Sequence, residues 1–165
     1  MEIHIRDALE KDLKDIVEIY NQAINNRSSL AYTDIFSVED RKEWFIDHSK
    51  DKYPILIAEQ DNTVLGWISI SPYRKGRQAL YKTVEVSYFI HNDFKRMGIG
   101  SKLLSEMLKK IKELGYKTVI AIVFDKNIGS MKLLEKNNFK KWGFLPDVAE
   151  IDKNKFSHVY YGRKI

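Results

Sequence analysis

The chain predicts a mixed α/β fold, a central sheet flanked by about four helices, and three observations carry that reading. Short β-branched runs alternate with amphipathic stretches of helical period, in the order β-α-α-β-β-β-α-β-α-β-β. No linker, repeat or low-complexity stretch divides residues 1–165, so one domain is expected. Apolar residues make up 44% and charged residues 31%, the balance of a soluble protein with a real core.

Each element has its own reason. Glu2 to Arg6 alternates in polarity, as a strand with one covered face should. Leu13, Ile16, Val17, Tyr20, Ala23 and Ile24 then recur at helical spacing. Residues 25–35 are polar and aromatic without a period and read as a loop. Ser37 followed by Asp40 forms a capping-box pattern ahead of a second helix carrying Trp44 and Phe45. Pro54 to Ala58 is a strand, Asp61-Asn62 a turn, and Val64 to Ser71 its hairpin partner, interrupted by Gly66. Pro72 to Leu80 is a basic loop, and Thr83 to Ile90 the next strand. After a turn with two glycines, Leu103, Leu104, Met107, Leu108 and Ile111 line the inner face of a helix that Gly115 ends. Lys117 to Phe124 is a strand covered on both faces. Asn127 to Asn137 is a helix buried through Ile128, Met131 and Leu134. Phe139 to Leu145 and Phe156 to Tyr161 close the sheet around an Asp/Lys-rich turn at 152–155.

Composition excludes several functions. With no cysteine there is no disulfide, thiolate nucleophile or thiolate zinc site. His4, His48, His91 and His158 have no mutual metal-type spacing, so no metal is expected. The longest apolar run, Val119 to Phe124, is too short to cross a bilayer, and Met1 to Ala8 holds no signal-type apolar block. The cytoplasm is the expected compartment, with no membrane partner. The net charge of +5 suits an anionic ligand, but Lys109, Lys110 and Lys112 read as a solvated helix face. No basic stripe interleaved with aromatics points to nucleic acid.

The chemistry concentrates in residues 83–104. A strand, a short basic turn and the first turn of an apolar-faced helix together build an anion site. Amide groups of Arg96 to Ser101 converge at a helix N-terminus, where the macrodipole favours negative charge. Gly98 and Gly100 carry no Cβ, so a phosphate can approach the main chain, and Lys95 and Arg96 add full positive charges. Glu85 lies upstream on the incoming strand. A phosphate cradle near a carboxylate suggests group transfer from a phosphate-bearing cofactor.

The element order and the turn Lys95-Arg96-Met97-Gly98-Ile99-Gly100 resemble the GNAT superfamily of acetyl-CoA-dependent N-acetyltransferases. Within it, Ile19 to Ile24, Thr83 to Ile90 and Phe124 to Phe139 are most similar to the phosphinothricin and methionine-sulfoximine acetyltransferase group. The resemblance implies acetyl-CoA as co-substrate and a homodimer. It implies that main-chain groups of Tyr88, Phe89 and Ile90 follow the pantetheine arm. The segment Lys95, Arg96, Met97, Gly98, Ile99, Gly100 and Ser101 would hold the pyrophosphate, and Asn127 and Ser130 would line the same cofactor. Three positions depart from the pattern. Lys95 replaces the usual Gln or Arg. Leu134 stands where many members place a Tyr acid, and Phe156-Ser157-His158-Val159 alters the C-terminal motif.

Acetyl transfer needs a neutral amine, a polarised carbonyl and a held thioester. An alkylammonium with a pKa near ~10.4 is only about 0.1% neutral at physiological pH, so its deprotonation costs about 4 kcal/mol. Glu85 is the candidate base, directly or through water, against the alternative of a strand carboxylate facing solvent or paired with Arg77 or Lys82. A strand N–H at Tyr88 or Phe89 could polarise the carbonyl. Arg74, Lys75 and Arg77 could bind an acceptor carboxylate, or form a solvated basic loop. Tyr20, Asn21, Tyr32 and Trp67 could wall the acceptor pocket, or belong to the core. The expected acceptor is the primary amine of a small molecule, an amino acid or its analogue, attacked directly in a ternary complex. A peptide N-terminus, a polyamine, or a non-catalytic acyl-CoA sensor are the alternatives.

Overall fold

Seven strands hydrogen-bond into one sheet in the order β1-β2-β3-β4-β5-β7-β6, and every neighbouring pair is antiparallel except β4 with β5. The computed structural model describes residues 2–165. The strands are β1 His4–Asp7, β2 Ile55–Gln60, β3 Thr63–Pro72, β4 Thr83–Ile90, β5 Thr118–Phe124, β6 Lys140–Ile151 and β7 Asn154–Lys164. The helices are α1 Leu13–Asn25, α2 Lys42–Ile46, α3 Ile99–Glu113 and α4 Ile128–Lys136. Element number, kind and order match the expectation from sequence.

Two apolar layers hold the helices to opposite faces. On one face Ile16, Ile19, Tyr20 and Ile24 of α1 pack on Ile55, Ile57 and Trp67. On the other, Leu103, Leu104, Met107 and Ile111 of α3 pack on Ile68, Ile70, Val84 and Val86, joined by Leu134 of α4. Alternate strand residues supply the two layers, as a period of two requires. Each fully buried Leu or Ile contributes about 1.5–3 kcal/mol of transfer free energy.

Several local expectations hold. Gln60 and Thr63 flank Asp61-Asn62, and Ile151 and Asn154 flank Asp152-Lys153. All four turn residues have positive φ, the tight hairpin turn whose twist suits the strands. Gly115 stands just beyond α3 at φ 78°, and its N–H donates to Lys112 O at 3.0 Å. Ser37 N–H donates to Asp40 Oδ2 at 2.7 Å and Asp40 N–H to Ser37 Oγ at 3.1 Å, completing the capping box. This box opens onto one 3-10 turn, Glu39–Arg41, and then the five-residue α2.

Others need correction. β3 continues through Gly66, which pairs with Ala58 on one side and Ile90 on the other, but the register shifts beside it. Glu59 faces Val64, so Leu65 forms a bulge next to the glycine rather than a break in the strand. β6 and β7 extend well beyond the apolar segments read as strands, because β6 is a bulged edge strand whose outer residues need no burial. Ile128 is 52% exposed and does not help to bury α4. Each three-residue step falls about 60° short of a full helical turn, so Ile128 and Leu134 point in different directions.

Candidate active site

The single parallel pair builds the site. β4 and β5 pair at Thr83 with Thr118, Val84 with Val119 and Glu85 with Ile120, and there the ladder ends. Beyond it β4 stays on β3 while β5 stays on β7, through Phe89 with Trp67 and Phe124 with His158. The two strands therefore splay apart. His91 N–H donates to Leu65 O at 2.9 Å and Tyr73 N–H to Thr83 O at 3.3 Å, which fixes the alternation along β4. Glu85, Ser87 and Phe89 turn their main-chain groups to β3, while Val86, Tyr88 and Ile90 turn theirs toward the splay. Phe89 N–H is thus committed to the sheet, and Tyr88 N–H is the free strand donor.

The glycine turn lies at the mouth of this splay. Arg96 at φ 65° and Gly98 at φ 79° are both left-handed, and Gly98 is the N-cap of α3. A Cβ on Gly98 would meet nothing within 4 Å, so the turn is open on that side, and a side chain there would narrow the approach to the main chain. On Gly100 a Cβ would stand 3.0 Å from Leu133 Cδ2, so that glycine lets α3 approach α4 closely. The first helical bond runs from Lys102 N–H to Gly98 O at 3.1 Å. Among the described residues, no acceptor takes the N–H groups of Arg96 to Ser101. Unpaired amides, a helix N-terminus and two adjacent cations fit a diphosphate.

The first turn of α4 forms the opposite wall. Asn127 Oδ1 accepts from Ser130 N–H at 3.2 Å, so this side chain caps the helix. Tyr88 Oη donates to Ser130 O at 3.4 Å, and burial pushes the Tyr88 phenol up to about 12. Leu134 is fully buried in the core beneath α3 and offers no proton.

A cavity of about 790 Å³ joins these parts. Its lining runs from Lys95, Arg96, Gly98 and Ser101 past Tyr88 and Ser130 to Glu85, then to Tyr20, Phe89 and Tyr32. Glu85 is largely buried, and loss of solvation raises its pKa. Neither Arg77 nor Lys82 pairs with it, and no salt bridge among the described residues includes it. A carboxylate on a cavity wall whose pKa is raised by lost solvation is a stronger proton acceptor than a free one.

The aromatic end is rigid. Tyr20 meets Phe89 edge-on at 5.0 Å and Tyr32 at 6.1 Å, and the Arg41 guanidinium covers Tyr20 at 4.9 Å and Trp44 at 4.3 Å. Trp67 is core, its Nε1 donating to Ile16 O at 3.1 Å. Asn21 is structural too, exchanging hydrogen bonds of 2.8 and 2.9 Å with the Phe36 main chain.

The structure brings together every residue expected at the cofactor except Met97, whose side chain is exposed outside the cavity lining. Ile99 lines it at the base of the turn, and Gly100, Asn127 and Ile90 do so further in. Arg74, Lys75 and Arg77 are exposed and do not line it. Of the three, Arg74 is close enough to Tyr160 for its charge to act there alongside that of Glu85. Sequence reasoning missed His158, which lines the cavity, stacks 5.5 Å from Phe124 and has its pKa lowered by burial. It also missed Ser28 to Ala31, an aperiodic segment with no signal beyond its polarity.

A mixed sheet that parts at its one parallel pair, with a cradle of free amides at the opening, defines an acyltransferase drawing on a coenzyme A thioester. The chain belongs to the GNAT acetyltransferase family, whose profile, Acetyltransferase (GNAT) family, matches residues 14–139. It is an N-acetyltransferase. It is 38% identical over 162 residues to YwnH of Bacillus subtilis strain 168, provisionally named a phosphinothricin acetyltransferase, with 98% of each chain covered. The L-methionine sulfoximine/L-methionine sulfone acetyltransferase of Pseudomonas aeruginosa is 29% identical, over 91% of this chain and 87% of that one. Among solved structures, a phosphinothricin acetyltransferase of Sinorhizobium meliloti in complex with acetyl-CoA superposes with a TM-score of 0.94 at 25% identity, covering 100% of this chain and 89% of that one.

Proposed function

We propose that the protein transfers acetyl from acetyl-CoA to the primary amine of an amino acid or amino-acid analogue of the phosphinothricin or methionine-sulfoximine type. One observation carries this reading: a single cavity links the amide cradle to Glu85, the one Asp or Glu among the described residues of its lining. A polyamine pocket would need several acids, so the lining favours an acceptor that is not polycationic.

Bound acetyl-CoA supplies an activated acyl carbon. Arg96 to Ser101 bind its diphosphate, with Lys95 adding charge, and Asn127 and Ser130 border the arm between the strands. Tyr88 N–H donates toward the carbonyl oxygen as negative charge develops there. Glu85 takes the ammonium proton, directly or through water, so the amine attacks as a neutral nucleophile within a ternary complex. Tyr20, Tyr32 and Phe89 enclose the acceptor side chain, and Arg74 is the loop cation best placed to meet an acceptor carboxylate.

We also read residues 1–165 as a single cytoplasmic domain that forms a homodimer. Trp142, Phe144, Leu145 and Val148 support the dimer, since all four are exposed on or beside the outermost strand.

The test is a screen of phosphinothricin, methionine sulfoximine, methionine sulfone, free amino acids, spermidine and a short peptide, following thiol release from acetyl-CoA. Turnover with amino-acid-like acceptors is expected. Transfer to spermidine or the peptide alone would overturn the assignment.

A further inference from the structure

We propose that the Tyr88 hydroxyl donates a hydrogen bond to the sulfur of coenzyme A as the thiolate departs. This rests on the acetyl-CoA reading above and adds a residue to it.

The two faces of β4 divide the site. Glu85 and Phe89 point to the α1 face, whereas Tyr88 points to the α3/α4 face, where it packs with the second core layer. An amine entering beside Glu85 therefore pushes the leaving group toward the side that Tyr88 occupies. A thiolate leaving between the parted strands loses part of its solvation and is stabilised by a donor there. Beyond Asn127 and Ser130 in its first turn, α4 presents no donor to the cavity, because Leu133 lines it and Leu134 is core. Tyr20 and Tyr32 stand at the aromatic end with Phe36.

Tyr88 meets the requirements. It lines the cavity, and its main-chain N–H opens into the same gap. Its hydroxyl makes one long contact, 3.4 Å to Ser130 O, so the proton can be redirected to a better acceptor. With its pKa raised to about 12 the phenol stays protonated throughout the working range. The step balances without any further reactant. Glu85 takes one proton from the ammonium before attack, the amine nitrogen bonds the acyl carbon, and the carbon–sulfur bond breaks with its electron pair on sulfur. The second proton that the nitrogen sheds in becoming an amide passes to solvent, and Tyr88 keeps its own.

The test uses Tyr88→Phe, which preserves the ring and gives up only the long bond to Ser130. Binding of coenzyme A, desulfo-coenzyme A and acetyl-CoA is measured by calorimetry on either side of the thiol ionisation, near ~8.5 for an ordinary thiol. On the alkaline side, Tyr88→Phe should weaken coenzyme A about tenfold, the effect of a hydrogen bond to a charged acceptor. Desulfo-coenzyme A and acetyl-CoA should bind as before, while kcat falls and the KM for acetyl-CoA holds. Equal losses for all three ligands would reduce Tyr88 to packing, and unchanged coenzyme A binding would also overturn the proposal. If the wild-type chain binds none of the three, the acetyl-CoA reading itself fails and takes this one with it.

Discussion

Glu85 is paired with Ile120 on the last rung that joins β4 to β5, so the carboxylate sits where the sheet begins to part. The same position buries it and puts it on the cavity wall. Sheet topology thus supplies both the opening for a ligand and the low-dielectric surroundings that make this carboxylate a better base.

Replacing Glu85 by Gln should lower kcat/KM by about 10²-fold, the lower range for a positioned base. The acid limb of the wild-type pH–rate profile, set by the raised pKa of Glu85, should disappear with it. Acetyl-CoA affinity should hold. An unchanged profile would remove Glu85 from the base role.

The same substitution should stabilise the protein at neutral pH. With its folded pKa above the unfolded value, Glu85 binds more protons in the native state through that interval, so stability falls as pH rises across it. Gln escapes this penalty. Thermal unfolding should show a higher Tm for Glu85→Gln at pH 7, with the difference closing as pH drops below the unfolded value. A Tm lowered at every pH would mean that the carboxylate makes a stabilising contact instead.

Gly98→Val should abolish acetyl-CoA binding, whereas Gly98→Asn should retain part of it. Gly98 holds φ 79°, where a residue with a Cβ costs about 1–2 kcal/mol and Asn costs least. Calorimetric titration of both variants checks the order. Wild-type affinity in Gly98→Val would contradict the cradle.

Asn127→Ala should cost about 1 kcal/mol of stability through loss of the cap on Ser130. If Asn127 also borders the cofactor, acetyl-CoA affinity should fall in the same variant. Unfolding and titration together separate the roles, and lost stability with full affinity would leave Asn127 a cap alone.

Much of this was legible in the sequence. The β-branched runs, the two hairpin turns and the stripes of α1 and α3 are local patterns, and they fix the element order. The glycine turn was legible because positive φ and an unfilled helix N-terminus leave a mark in residue type. The splay left none. It arises because β5 follows β7 past Ile120 while β4 follows β3, a competition between non-local pairings. For the same reason the choice between Tyr88 and Phe89 as free amide needed the β3–β4 register. Ile128 misled because apolar spacing of three resembles a stripe without being one. The loop at Arg74, Lys75 and Arg77 carries suggestive charge, yet only the packed structure shows all three turned to solvent.

The most direct test of the central claim is a crystal structure of the protein with coenzyme A. The account predicts the diphosphate within hydrogen-bonding distance of the Arg96 to Ser101 amides, with the thiol arm between β4 and β5 and its end near Tyr88 and Glu85. A diphosphate held anywhere else, with those amides still unpaired, would contradict it.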